Sequence, residues 1–150
     1  MKITNACAAL LSNYEVMALL DERQNIQIEL QRNDASIEYP ENLRTIQFEV
    51  TEYLKTSPCS TQTPAQLKDF LDALKPFKLT RAERLQILNL RPKSAVEIYL
   101  IIEECEERFS EDDLENMLNI IITTLPRDDD EVEEEEAEEG EEGEPMEQYD

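Results

Sequence analysis

One pattern recurs along this chain and restricts what it can fold into: a hydroxyl residue, then an acid or amide three positions later, directly ahead of an apolar stripe of helical period. Ser12-x-x-Glu15 precedes Val16, Met17, Leu19 and Leu20, and Thr63-x-x-Gln66, with Pro64 between, precedes Leu67, Phe70, Leu71 and Leu74. Thr80-x-x-Glu83 precedes Leu85 and Leu88. Ser94-x-x-Glu97 precedes Ile98, Ile101, Ile102, Cys105 and Phe109, and Ser110-x-x-Asp113 precedes Leu114, Met117, Leu118, Ile121 and Leu125. In each box the hydroxyl satisfies an orphan N–H of the first turn while the later side chain reaches back to the cap. Pro40 suits a first helical position, and Leu43, Ile46, Val50, Tyr53 and Leu54 then share one face. The spacing predicts an all-α fold, with one continuous helix from Ser94 to Phe109.

Two stretches sit outside this rhythm. Met1 to Cys7 alternates weakly (Met1, Ile3, Cys7), which suits either a short edge strand awaiting a mate or a mobile N-terminus. An isolated strand cannot satisfy its own backbone, so the first reading needs another chain. Asn25 to Leu30, NIQIEL, alternates too and reads as strand or helix. Thr56 to Thr63 has linker composition. The expected division is an N-terminal partner-associating unit over 1–55, a linker over 56–63, a helical domain over 64–126 and an acidic tail over 127–150. In the tail, residues 128–150 carry 15 of the 36 acids and none of the 14 bases, leaving a net charge near −7 for the rest of a chain whose total is −22. So little apolar surface cannot offset the entropy of ordering, which predicts a disordered tail.

Composition removes most enzyme chemistry. With no histidine the chain lacks the commonest general base, the Ser-His and Cys-His nucleophile pairs and the usual catalytic zinc ligands. Its two glycines, Gly140 and Gly143, lie in the tail, so no glycine-rich loop can cradle a phosphate. Cys7, Cys59 and Cys105 are an odd number without a C-x-x-C pair, which argues against a disulfide framework or zinc site; Cys105 reads as a buried small hydrophobe. Glu103 and Glu107, one turn apart on a continuous helix, could hold a hard cation, but a solvated face is favoured. No catalytic, cofactor or metal residue is expected. The N-terminus lacks a signal-peptide pattern and no stretch reaches the length of a membrane span, so the expected compartment is cytosol or nucleus.

Charge is polarised along the helical domain. Lys75, Lys78, Arg81, Arg84, Arg91 and Lys93 face a single acid, Glu83, whereas residues 94–116 carry nine acids against Arg108 alone. The basic run suits nucleic-acid phosphate, an acidic protein partner or an ordinary solvated face; apart from Phe77 it lacks aromatics for base stacking.

These same segments carry a resemblance. Leu79-Thr80 with Glu83, Asn89-Leu90-Arg91-Pro92, and the acidic run Ile101 to Phe109 are similar to the C-terminal domain of the small stalk subunits of eukaryotic RNA polymerase III. The opening from Asn5 to Glu15, with Leu11-Ser12-Asn13-Tyr14-Glu15-Val16, resembles the N-terminus of that family. Relatives of the family are the small stalk proteins of archaeal polymerases and of RNA polymerase II; its animal member is also named the calcitonin gene-related peptide receptor component. The resemblance covers residues 1 to about 126. It implies an HRDC-like helical bundle and an N-terminal portion that clasps a larger subunit bearing an S1-type barrel. It further implies a stalk on the polymerase core in the nucleus, contact with an initiation factor, and support for initiation at small RNA genes. On that footing Ile3, Leu10, Leu11, Tyr14, Met17 and Leu20 are the candidate partner interface, and the six bases are candidate contacts to a factor or, indirectly, to nucleic acid. The competing readings are an adaptor in receptor signalling and a free HRDC-type nucleic-acid-binding module.

A chain built this way should turn over no nucleotide. Purified alone with NTP and magnesium it should release no phosphate above the blank, and sustained release that co-elutes with the protein contradicts a non-catalytic role.

Overall fold

Ser12, Thr63, Thr80 and Ser110 each cap a helix with the reciprocal pair of bonds that their spacing predicts. The computed structural model describes residues 9–127, and within them every regular element is helical. In chain order these are α1 (Asn13–Asn33), α2 (Glu41–Thr56), a 3-10 helix (Pro58–Thr61), α3 (Pro64–Ala73), α4 (Arg81–Leu90), α5 (Ala95–Ile101), α6 (Cys105–Arg108) and α7 (Glu111–Thr124). The expected all-α class holds. NIQIEL is helical, inside α1. The strand expected at Met1 to Cys7 and the tail over 128–150 lie outside the described residues.

The apolar stripes from α3 onward converge on one core. Phe70 and Leu74 of α3, Ile87 and Leu88 of α4, and Ile98 of α5 meet Leu114, Met117 and Ile121 of α7, with Leu79, Ile102, Cys105 and Leu125 filling the joints. Each such side chain contributes about 1.5–3 kcal/mol by leaving water. The Cys105 thiol is accordingly held above its usual range by burial. The segment with linker composition is itself ordered: Cys59 of the 3-10 helix is fully buried, and Gln62 Nε2 donates to Leu88 O at 3.1 Å.

The long helix expected from Ser94 to Phe109 is two helices, and this is a correction. α5 ends at Ile101, Ile102 is extended, and Glu104 adopts φ 52 ahead of α6. Ser94 still caps α5, but Glu97 reaches back to the Lys93 N–H rather than to Ser94. A continuous helix would set four glutamates against the negative end of its dipole; the break moves Glu106 and Glu107 into the first turn of α6, where the dipole favours them.

The break is held by Arg108. Its guanidinium donates through Nη1 to Glu83 Oε1 at 2.6 Å and to Glu103 O at 2.9 Å. Through Nη2 it donates to Glu83 Oε2 at 3.1 Å and to Lys78 O at 2.8 Å. Its face also covers the Phe109 ring, 5.1 Å from the centroid, and Phe109 packs tilted against Phe77. Glu83 is buried and already accepts the Thr80 N–H at 2.7 Å to close the α4 cap. The Arg108 hydrogen bonds, helped by the Thr80 N–H and opposed by burial, lower its carboxyl from 4.5 to about 2.

A depressed carboxyl stabilises the fold above its unfolded value and loses that contribution as pH falls through the folded one. Here the window runs from about pH 4.5 down to about pH 2, and the shift corresponds to about 3 kcal/mol. Denaturant unfolding of Glu83→Gln should therefore show a flatter stability profile between pH 5 and 2. Arg108→Met, which strands the buried carboxylate, should cost about 3–5 kcal/mol at pH 7. A profile for Glu83→Gln that superimposes on the parent's contradicts this account.

Candidate partner interface

α1 begins in a buried joint and then leaves the protein behind. The Ser12 hydroxyl is buried in its cap, and the Asn13 N–H donates to Asn89 Oδ1 at 2.9 Å, fixing the helix start to the end of α4. Beyond that point none of the 21 residues of α1 is buried. Leu10 and Leu11 are exposed ahead of it, while Tyr14, Met17 and Leu20 are half-buried. Ile3 lies outside the described residues. Leu19, Ile26 and Leu30, spaced to fall on one stripe, are exposed as well.

α2 returns beside α1 after a loop tightened at Asp34, whose carboxylate accepts from the Ser36 N–H and hydroxyl. Those bonds hold the Asp34 carboxyl below its ordinary value. Only Thr51 and Leu54 of α2 are buried, against the 3-10 helix segment. Leu43, Ile46, Phe48 and Tyr53 remain in water. The stripe expected on α2 thus splits: Leu54 turns inward, Val50 is half-buried, and Leu43, Ile46 and Tyr53 stay outside. The two helices carry more apolar side chains than this chain covers, the kind of surface that makes a candidate interaction site.

The bases divide differently from their order in sequence. Lys75 pairs with exposed Asp72 at 2.6 Å, and Lys78 and Lys93 are exposed. Arg81 is exposed and Arg84 half-buried on the outer side of α4. Arg91 is not on that surface: it is 3% exposed, caps α4 at φ 48, and donates from Nε to Leu125 O at 2.6 Å. Asn89-Leu90-Arg91-Pro92 is therefore a junction, with Asn89 holding the start of α1 and Arg91 the end of α7. Among the described residues no three His, Cys, Asp or Glu side chains gather to hold a metal, and the break at Glu104 removes the one-turn spacing of Glu103 and Glu107. No helix of the described residues is long and apolar enough to cross a membrane.

Ile26, Leu30 and Phe48 were not among the residues expected at an interface. Their signal is the surplus of apolar residues on α1 and α2 over what two helices need to pack on each other, which the ambiguous alternation of NIQIEL hides. Arg108 carried a signal as well, as the lone base in an acidic run.

The described residues define the class of fold, an all-helical bundle preceded by a helical hairpin whose apolar side chains are largely exposed. The family model for RNA polymerase Rpb4 matches residues 10–125, and the chain belongs to that family. It is 41% identical over 129 residues to a protein of Schizosaccharomyces pombe named DNA-directed RNA polymerase III subunit rpc9, covering 84% of this chain and 100% of that one. The Dictyostelium discoideum protein of the same name is 33% identical over 105 residues, with 66% of this chain and 72% of that one covered. The Saccharomyces cerevisiae counterpart is 42% identical over 65 residues, covering 43% of this chain and 40% of that one. These are the small polymerase III subunits that the motifs resemble.

The junction should be separable from the surface bases. Arg91→Ala removes a charged hydrogen bond inside the fold and should lower unfolding stability by about 1–3 kcal/mol. Arg81→Ala, on the surface, should change it by no more than about 0.5 kcal/mol. Equal losses in urea titrations of the two variants contradict this assignment.

Proposed function

We propose that this chain is a non-catalytic subunit of RNA polymerase III, acting in the nucleus, and that it forms a stalk heterodimer with a larger S1-domain subunit. The observation that carries the reading is α1: a helix of 21 residues with none buried, which exposes Leu19 and is preceded by exposed Leu10 and Leu11. A second chain lying on the α1–α2 hairpin would give these side chains the cover that this chain does not. Membership of the Rpb4 family and the polymerase III name of the relatives support the polymerase as the assembly in which to look for such a partner. The proposed division is an associating unit over 1–55, a connecting segment over 56–63, a helical domain over 64–126 and an acidic tail over 127–150. In this scheme the helical domain presents Lys78, Arg81 and Arg84 to an initiation factor while the stalk stands on the polymerase core, supporting initiation at small RNA genes. Nucleic acid is met indirectly, since the surface as a whole is acidic.

Co-expression with the S1-domain subunit and size exclusion test the division. Leu11→Asp with Tyr14→Asp should abolish the one-to-one complex, whereas Arg81→Glu with Arg84→Glu should leave it intact. Circular dichroism of the first variant should retain the helical signal of the domain over 64–126. Elution of that variant as an undiminished complex overturns the interface.

A further inference from the structure

On the outer side of the bundle, Leu67 and Leu71 of α3 and Leu85 and Leu88 of α4 floor a groove of about 620 Å³ with Arg81 and Arg84 on its rim. Glu15, the acid among its lining residues, accepts from Ser12, and Glu83, on the same helix as the arginines, is turned inward to Arg108. An apolar floor under a cationic rim suits a peptide with large apolar side chains set among carboxylates. This chain contains one. Its last residues, Glu144-Pro145-Met146-Glu147-Gln148-Tyr149-Asp150, place Met146 and Tyr149 in a segment without a base.

The path is short. Leu125, where the bundle ends, is held by Arg91 at the C-terminal end of α4. Arg84 stands seven residues back along the same helix, about 10 Å at the α-helical rise. The 23 residues from Asp128 to Asp150 exceed what that distance needs, since a chain can reach about 3.3–3.6 Å per residue. Tethering also raises the local concentration of such a segment to the millimolar range.

We propose that the groove is the seat of the chain's own C-terminal acidic segment, with Met146 and Tyr149 on the leucine floor and the carboxylates on Arg81 and Arg84. An acidic partner approaching this rim then competes with the tail, so the segment sets a threshold for contact. Leu10, at the start of α1, lines the groove as well and belongs to the proposed partner interface, so the tail's seat is tested on the chain without a partner.

The test is paramagnetic broadening in the full chain. A nitroxide is attached at Gln148→Cys in a Cys7→Ser background, where the remaining cysteines, Cys59 and Cys105, are buried. Amides of Leu67 to Leu71 and Arg81 to Leu88 should broaden at low salt. They should recover at about 0.5 M NaCl, where the Debye length is under about 5 Å. They should also recover in Arg81→Glu with Arg84→Glu, and in Met146→Ser with Tyr149→Ser. Groove amides equally sharp with oxidised and reduced label overturn the proposal, as does broadening that survives either double substitution. Silent labels together with groove shifts on titration with single-stranded RNA overturn it too, and assign the rim to nucleic acid.

Discussion

The fold of the C-terminal bundle turns on one guanidinium. Arg108 joins the carboxylate that caps α4, the carbonyl of Lys78 in the loop before it, and the carbonyl of Glu103 at the break between α5 and α6. Without that hub the break would expose carbonyls near the core, and Glu83 would sit buried with only its cap bonds. With it, one acid serves two tasks: it closes a helix start and anchors the loop that lets Ile98, Ile102 and Cys105 all face inward. Glu83 is the one acid of the basic run and Arg108 the one base of the acidic run, so their pairing leaves the remaining, opposed charges of the two segments on the surface.

The rest of the molecule is organised by what the bundle does not cover. From α3 onward the apolar stripes close on a shared core, whereas α1 and α2 touch chiefly each other and the 3-10 segment around Cys59. The two halves are nonetheless registered. Asn89 fixes the first residue of α1, Gln62 binds the Leu88 carbonyl, and Arg91 fixes the last turn of α7, all at one end of α4. A partner on the hairpin would therefore act on a helix whose root is tied to the bundle. The Rpb4 family match, over residues 10–125, spans both halves.

Much of this was legible from local chemistry. The boxes at Ser12, Thr63, Thr80 and Ser110 depend only on residues three apart, and they formed as the spacing predicts. What the sequence hid was non-local. The break at Glu104 follows from an ion pair spanning 25 positions, and the burial of Arg91 from a carbonyl 34 positions away. Neither separation leaves a periodic trace. NIQIEL was ambiguous for a different reason: its apolar residues remain in water, so no buried face within the chain selects between the two periods.

The position of the uncovered hairpin has a consequence for biosynthesis. α1 and α2 leave the ribosome first, while the bundle cannot close until α7 follows nearly seventy residues later. At about 5–20 residues per second, the hairpin then stands on the order of several seconds without the bundle, with Leu19, Ile26, Ile46 and Phe48 in water as they remain in the finished fold. Exposed apolar surface on a nascent chain is open to capture from the moment it emerges, so whatever covers the hairpin can act before the bundle behind it exists.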